Sequence, residues 1–403
     1  MLNITSEYGQ LEAVMLHRPG RELQGITVHN MSELLFDDVP WLKEAQKEHD
    51  NFAEVLRSRG VEVLYVEKLL EDVLQNGGVK EELVKRVVML EMFNPRTSTY
   101  LRDFLEELPS DELVDVLIGG LRKRDVKLKG LGLVAMMREE EGFYIRPLPN
   151  MYFMRDPSAV VGNKAIVSSM KYLARMRETL YLYFIFKYHK RFEGTSLWFG
   201  DSPKDTPPYF IEGGDVLVLD DETVIIGCGE RTTPATVERV SRRFFKDGNL
   251  KRVFAVEIPK KRTFMHLDTV FTIVDRGVFV VYPEVIENMR VYELTPAKGW
   301  DISIREIPDI KSGLNEVMDV DNIKFIYTGG GDESVAAREQ WNDGTNTLAV
   351  SPGVVVTYSR NEVTNAVLRE NGIEVIDIYG SELVRGRGGP RCMTLPLRRR
   401  DVK

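Results

Sequence analysis

Cysteine is almost missing from this 403-residue sequence: Cys228 and Cys392 are the only two. Two thiols cannot form a disulfide framework, and a reducing, cytoplasmic compartment is expected. Histidine is nearly as scarce. His17, His29, His49 and His189 stand at no ligand spacing from His266, so neither a metal nor any other cofactor is expected. Long apolar runs are also lacking. The longest, LYLYFIF at 180–186, is too short to span a bilayer. The N-terminus has no basic start, apolar stretch and small-residue cleavage site, so it does not read as a signal peptide. Excess positive charge is absent: the net charge is −8, which argues against a protein that coats nucleic acid. No GxGxxG follows a strand to open a helix, so the glycine clusters are not a dinucleotide fingerprint. The basic run at 398–400, followed by Asp401, reads as a solvated tail or salt-bridge partner.

What is present describes a folded chain. Hydrophobic residues make up 43% and charged residues 29%, enough to bury a sizeable core. The length suits two or three average domains, or one large α/β domain with an insertion. From Asp156 onward a pattern recurs in DPSAVVGNKAIVSS (156–169), GDVLVLDDETVIIG (214–227), LDTVFTIVDRGVFVVYP (267–283) and TNTLAVSPGVVVTYS (345–359). Each copy carries an early Asp or Asn, an apolar run, a turn and a second apolar run, which is a strand–turn–strand signature. Helical patterns follow several of them, as in TPATVERVSRRFF (233–245), and further strands follow those, as in LKRVFAVEI (250–258). The stretch 11–67 reads as a diverged fifth unit. Hairpin, helix and strand used about five times suggest blades around an axis; the hairpins count against an open parallel sheet. The expected fold is α/β, a five-unit pseudo-symmetric propeller built from 1–67 and 146–403. Residues 68–145 have helical periodicity and little strand character, and are expected to form an inserted helical domain.

In such a repeat, equivalent positions converge. Asp156, Asp215, Asp268 and Asn346 would then share a central pocket. Clustered carboxylates repel and lose hydration unless a cation sits among them. The histidine count disfavours a metal, and an organic cation needs only the carboxylates present. His266 and Asp268 lie two apart, so on a strand they would face one side. Glu212 precedes Gly213 and Gly214, which permit a sharp bend or close approach. Cys392 lies in VRGRGGPRCMTLPL (384–397), with three arginines and three glycines in the eight residues before it. A thiol and an imidazole beside a held cation point to nucleophilic substitution at the cation's carbon. Arg387 and Arg391 should favour the thiolate and the carboxylates should oppose it. Cys228 reads as structural.

The motifs LLFDDVP (34–40), NMYFMRDP (150–157), RMRET (175–179), FIEGGDV (210–216), GCGERT (227–232), HLDTVF (266–271) and GRGGPRCM (386–393) together resemble the arginine deiminase family across the whole chain. The resemblance implies a five-unit α/β propeller with a helical insertion, and hydrolysis of L-arginine to citrulline and ammonia. It implies Cys392 as nucleophile and His266 as general acid/base oriented by Glu212. Asp156 and Asp268 would grip the guanidinium. Asn150, Arg175 and Arg231 would hold the α-carboxylate and main chain of arginine, Phe153 would pack on its stem, and Arg387 would lie in a loop that closes the pocket. Arg175 could instead pair with Glu178, and Asp215 could cap a hairpin or touch substrate. Family members carry His or Arg before the nucleophile; here it is Arg391. A homo-oligomer without nucleic-acid or membrane partners is expected. The rival readings are an agmatine or methylarginine hydrolase, an amidinotransferase, or a silent arginine-binding protein.

Overall fold

The computed structural model describes residues 2–126, 132–137 and 142–402. Five sheets share one plan: an antiparallel pair of strands, then a parallel strand reached through a helix. In three of them the antiparallel pair is the strand–turn–strand pattern of the sequence and nothing widens the sheet. Ser158–Val161 pairs antiparallel with Lys164–Val167, which pairs parallel with Leu197–Phe199. Phe271–Asp275, Val278–Val281 and Lys324–Tyr327 repeat the arrangement, as do Leu348–Ser351, Val354–Tyr358 and Glu374–Ile378. Their hairpin turns carry Gly162, Gly277 and Gly353 at φ of 59°, 71° and 69°, a left-handed region that side chains with a Cβ resist.

The sheet of Val216–Val218, Thr223–Cys228 and Arg252–Glu257 follows the same plan, with helix Pro234–Asp247 as its connection. It is widened by Val291–Pro296 and Ile302–Ile307, a hairpin the sequence pattern did not announce. The first sheet differs from expectation in another way. Leu11–Leu16 runs parallel to Glu62–Tyr65 through helix Leu42–Ser58, but its antiparallel partner is Leu395–Arg399. The basic run at 398–400 is therefore no solvated tail. Arg398 and Arg400 reach Glu12, while Arg399 is buried and its Nη1 donates to the Gly9 carbonyl at 2.6 Å.

The connecting helices turn apolar stripes to the sheets. In Leu42–Ser58 the buried positions include Ala45, His49, Phe52, Ala53 and Leu56, the three- and four-residue spacing of one helical face. Between the first and second sheets lie helices Val66–Val73, Gly77–Leu90, Pro95–Glu107 and Ser110–Gly119. Asn94 caps the third of these by accepting from the backbone N–H groups of Arg96 and Thr97, and Pro95 occupies its first turn. Of the helical pattern at 129–140, residues Leu133–Met137 are helical and 129–131 and 138–140 lie outside the described residues. The run at 180–186 belongs to helix Met176–Tyr188, and no helix among the described residues is long and apolar enough to cross a membrane.

Candidate active site

The hairpin starts do come together, through turns rather than strand interiors. Gly213–Asp215 and Leu267–Thr269 are single 3-10 turns that enter their strands. His266 is extended and Asp268 lies in the following turn, so the shared strand face expected for this pair is not what aligns them. The two glycines are needed for contact. A Cβ at Gly213 would collide with the Arg155 carbonyl, and one at Gly214 would stand 2.7 Å from the His266 ring.

His266 joins two of the carboxylates. Its Nε2 lies 2.7 Å from Glu212 Oε2 and its Nδ1 lies 3.5 Å from Asp156 Oδ1. Burial alone would push the imidazole down, but the Asp156, Glu212 and Asp215 carboxylates reverse this and hold it up at about 9. Burial would likewise raise Glu212, yet Arg231 and His266 bring it down to about 2. The pair is thus a carboxylate and an imidazolium at neutral pH. The sign of the pH effect follows. A histidine raised above its ordinary value contributes stability in full below about 6.5 and loses it as pH rises through about 9. Urea midpoints measured from pH 6 to 10 should fall across that window, and His266→Asn should flatten the fall.

Asp156 and Asp268 have matching environments. Oδ2 of Asp156 accepts from Arg175 Nη1 at 2.5 Å, and Oδ2 of Asp268 accepts from Arg391 Nη1 at 2.6 Å. The Oδ1 atoms of both are buried and have no hydrogen-bond partner. Two half-satisfied buried carboxylates are costly, and each has one oxygen ready for a cationic donor.

Cys392 lies beside them, 3% exposed, with Sγ 3.7 Å from Asp268 Oδ2. Asn346 places it: its side-chain oxygen accepts the Cys392 N–H at 3.0 Å, and its Nδ2 donates to the Asp268 carbonyl at 3.1 Å. Burial, then Asp268, Asp156 and Asp343, raise the thiol well above its ordinary value, and Arg391 opposes them without prevailing. Burial first, and the carboxylates after it, therefore outweigh Arg391 at the thiol. Arg391 serves Asp268 and Glu7 instead.

The remaining candidates are mostly engaged with protein. Arg175 meets Asp156, Glu178 and the carbonyls of Asn150 and Phe153, so both its pairing with Glu178 and its hold on Asp156 are realised. Asp215 accepts from Thr232 Oγ1 and from the Leu267 N–H, which ties two turns together. Burial raises its carboxyl to about 7. Arg231 reaches Glu212 at 3.3 Å and lies over the Tyr172 ring, with Nε unpartnered. Asn150 Nδ2 donates to the Leu34 carbonyl. Phe153 stacks on Tyr152 and fills the space beside Gly388. Arg387, at φ 63°, lies with its guanidinium 3.5 Å from the centre of the Trp341 ring.

Glu7, Arg155 and Asp343 were not legible as site residues. Glu7 supports Arg391 at 3.2 Å and Arg155 at 3.6 Å. Its carboxyl would be raised by burial, but Arg391 and Arg155 hold it at about 2. Glu7 lies in the largely polar stretch NITSEYGQ (3–10), where no local pattern sets it apart. Among the described residues no group of three or more His, Cys, Asp or Glu is arranged to hold a metal ion.

The family model described as Arginine deiminase matches residues 32–399. An arginine deiminase of Bacillus thuringiensis subsp. konkukian is 44% identical over 100% of this chain and 99% of its own. One of Staphylococcus haemolyticus is 44% identical with the same coverage. Among solved structures, SxtG, an amidinotransferase from Microseira wollei, superposes with a TM-score of 0.56 at 15% identity, covering 100% of this chain and 98% of the other. The N-terminal domain of ArgZ, an arginine dihydrolase from cyanobacteria, superposes at 0.54 and 14% identity, covering 97% and 98%. Another structure of that domain is covalently bonded to a reaction intermediate, with a TM-score of 0.53 at 14% identity and coverage of 96% and 98%. The structural likenesses establish a shared mixed α/β fold, and the family match with the sequence identities goes further: this chain belongs to the arginine deiminase family, hydrolases acting on C–N bonds.

Proposed function

We propose that the chain hydrolyses L-arginine to citrulline and ammonia through a thiouronium intermediate on Cys392. The observation that carries this reading is the pair of Oδ1 atoms, on Asp156 and Asp268, that accept no hydrogen bond beside a buried thiol. A guanidinium is planar, always charged and rich in N–H donors, so it suits two such acceptors. Its positive charge offsets the carboxylates that hold the thiol protonated, and the thiol proton leaves to solvent as substrate enters. Cys392 Sγ then bonds to the guanidinium carbon. The C–N bond to one terminal amine breaks, and the His266 imidazolium gives that nitrogen its proton as ammonia departs. Neutral His266 next takes a proton from water, whose oxygen attacks the thiouronium carbon. The C–S bond breaks, the hydroxyl proton of the adduct passes to the departing sulfur, and citrulline and the Cys392 thiol remain.

In this reading Glu212 and Asp215 position His266 and the turns around it. Arg231, with its free Nε, and Arg387 take the α-carboxylate, with Asn150 and Arg175 behind them. Phe153 packs on the stem. The four hairpin-start residues face an axis around which the five sheets repeat as a propeller of 1–67 and 146–403, with 68–145 as a helical insertion. Every catalytic side chain is buried, so the segment carrying Arg387 moves to admit substrate. A cytoplasmic homo-oligomer completes the reading.

The test is release of citrulline and ammonia from arginine and from agmatine, with no acceptor amine added. Arginine should be favoured by at least about tenfold in kcat/KM, since a buried arginine left without its carboxylate is costly. Equal turnover of both would remove Arg231 and Arg387 from substrate recognition, and dependence on an added amine would indicate group transfer.

A further inference from the structure

Arg155 and Arg399 are buried, at 3% and 1% exposure, and the reaction proposed above uses neither. Each engages one end of its guanidinium. Nη1 of Arg155 lies 3.6 Å from Glu7 Oε1, and Nη1 of Arg399 donates to the Gly9 carbonyl at 2.6 Å. In both residues Nε and Nη2 donate no hydrogen bond. These two atoms form one edge of the planar group, the fork that holds an anion through two parallel N–H bonds. Two open forks on buried cations are costly and call for an explanation.

Both arginines act on Glu7, whose own N–H is fixed on the Val218 carbonyl at 2.9 Å. Arg391 approaches the same carboxylate, with Nη2 3.2 Å from Oε1 and Nε 3.4 Å from Oε2. Arg391 is fully engaged, since its Nη1 pairs with Asp268 and its Nη2 also donates to the Val216 carbonyl. Arg155 and Arg399 are not. Three guanidiniums here share two carboxylates, Glu7 and Asp268, so one positive charge has no counter-charge. Burial, with the repulsion of Arg391, brings the Arg155 guanidinium down to about 10 against the pull of Glu7. Burial, with Arg155 and Arg391, brings Arg399 down to about 9, although Glu7 opposes. A negative charge among them would reverse both effects.

We propose that Arg155 and Arg399 hold a small monovalent anion, a halide or a planar oxyanion such as formate or bicarbonate, on their open forks. The single uncovered charge sets the valence. Enclosure sets the size, because Glu7, Arg155, Arg391 and Arg399 are each at most 5% exposed. The site offers donors where the substrate pocket offers acceptors, so it is independent of the reaction proposed above. It joins three distant segments. Glu7 belongs to the N-terminal stretch, Arg399 ends the strand Leu395–Arg399, and Arg155 gives its backbone N–H to the Cys392 carbonyl at 3.0 Å. An anion bound there ties the chain ends to the nucleophile's backbone, and its binding adds to the stability of the fold.

The experiment follows the Tm of the full chain as sodium chloride, and separately sodium formate, replaces sodium gluconate at constant ionic strength. Gluconate is too bulky for an enclosed site. Wild type and Arg399→Leu are measured in the same salts, so general salt effects cancel between them. At a hundred times its Kd the anion should raise the wild-type Tm by about 3 °C beyond any change in the variant. A rise with either salt supports the site, and the salt with the larger rise names the halide or the oxyanion as its class. Equal responses of wild type and variant to both salts would overturn the proposal. Should the variant fail to fold, wild-type crystals grown in bromide and in formate decide the matter. A bromide anomalous peak, or planar formate density, in contact with Nε and Nη2 of both arginines supports the site. Water alone at the forks in both crystals overturns it.

Discussion

Cys392→Ser should reduce kcat for citrulline formation by at least about 10⁴-fold, the scale at which loss of a nucleophile registers, while arginine still binds. The two outcomes have separate physical origins. Binding depends on Asp156 and Asp268, whose free oxygens the substitution leaves in place. Chemistry depends on a sulfur that can carry negative charge, and a serine hydroxyl in the same carboxylate-rich surroundings cannot ionise. The structural cost is small, because Asn346 holds the backbone N–H of residue 392 and not its side chain. Arginine at a hundred times its Kd should therefore still stabilise the variant by about 2.7 kcal/mol, read as a rise in Tm. Activity within about tenfold of wild type would show that the thiol is not the nucleophile.

The second large effect is at Asp268. Asp268→Ala should lower kcat/KM for arginine by roughly 10²- to 10³-fold or more, the rate equivalent of the 3–5 kcal/mol typical when one member of a buried ion pair is removed. Asp268 has three duties. It pairs with Arg391 at 2.6 Å, lies 3.7 Å from the nucleophilic sulfur, and offers Oδ1 to substrate. Its removal leaves Arg391 with Glu7 as its one carboxylate partner, next to an incoming cation. Both KM and kcat should suffer, because the grip on the guanidinium and the alignment of the thiol fail together. Steady-state kinetics beside Asp156→Ala provide the comparison. A change confined to thermal stability, with kinetics intact, would reduce Asp268 to a structural anchor.

Local patterns in the sequence carried the hairpins, the helices and the residues that meet at their starts. Alternating apolar residues and turn glycines are short-range signals, and Gly162, Gly277 and Gly353 occupy left-handed turns as such signals require. The pairing of Leu395–Arg399 with Leu11–Leu16 was hidden, because contacts across nearly the whole chain leave no periodicity in either segment. Arg399 compounded this: a buried arginine between half-buried Arg398 and exposed Arg400 looks polar, and its acceptor is a backbone carbonyl that no side-chain pattern reveals. The site divides in the same way. Motifs named Cys392, His266, Glu212, Asp156 and Asp268, but not the state of the thiol. That state depends on burial and on Asp343, which approaches from another module, while Arg391 is drawn aside by Asp268 and Glu7. Arg175 and Asp215 show that a motif can mark a residue without stating whether it faces ligand or protein.

The covalent intermediate is the point on which the account turns. Mixing the protein with arginine, quenching in acid within milliseconds and measuring intact and peptide masses tests it directly. The account predicts an adduct equal to one arginine less one ammonia, on the peptide that contains Cys392, appearing before citrulline and decaying as citrulline forms. Citrulline production with no adduct on Cys392 at any quench time, under conditions where His266→Asn also fails to trap one, would contradict it.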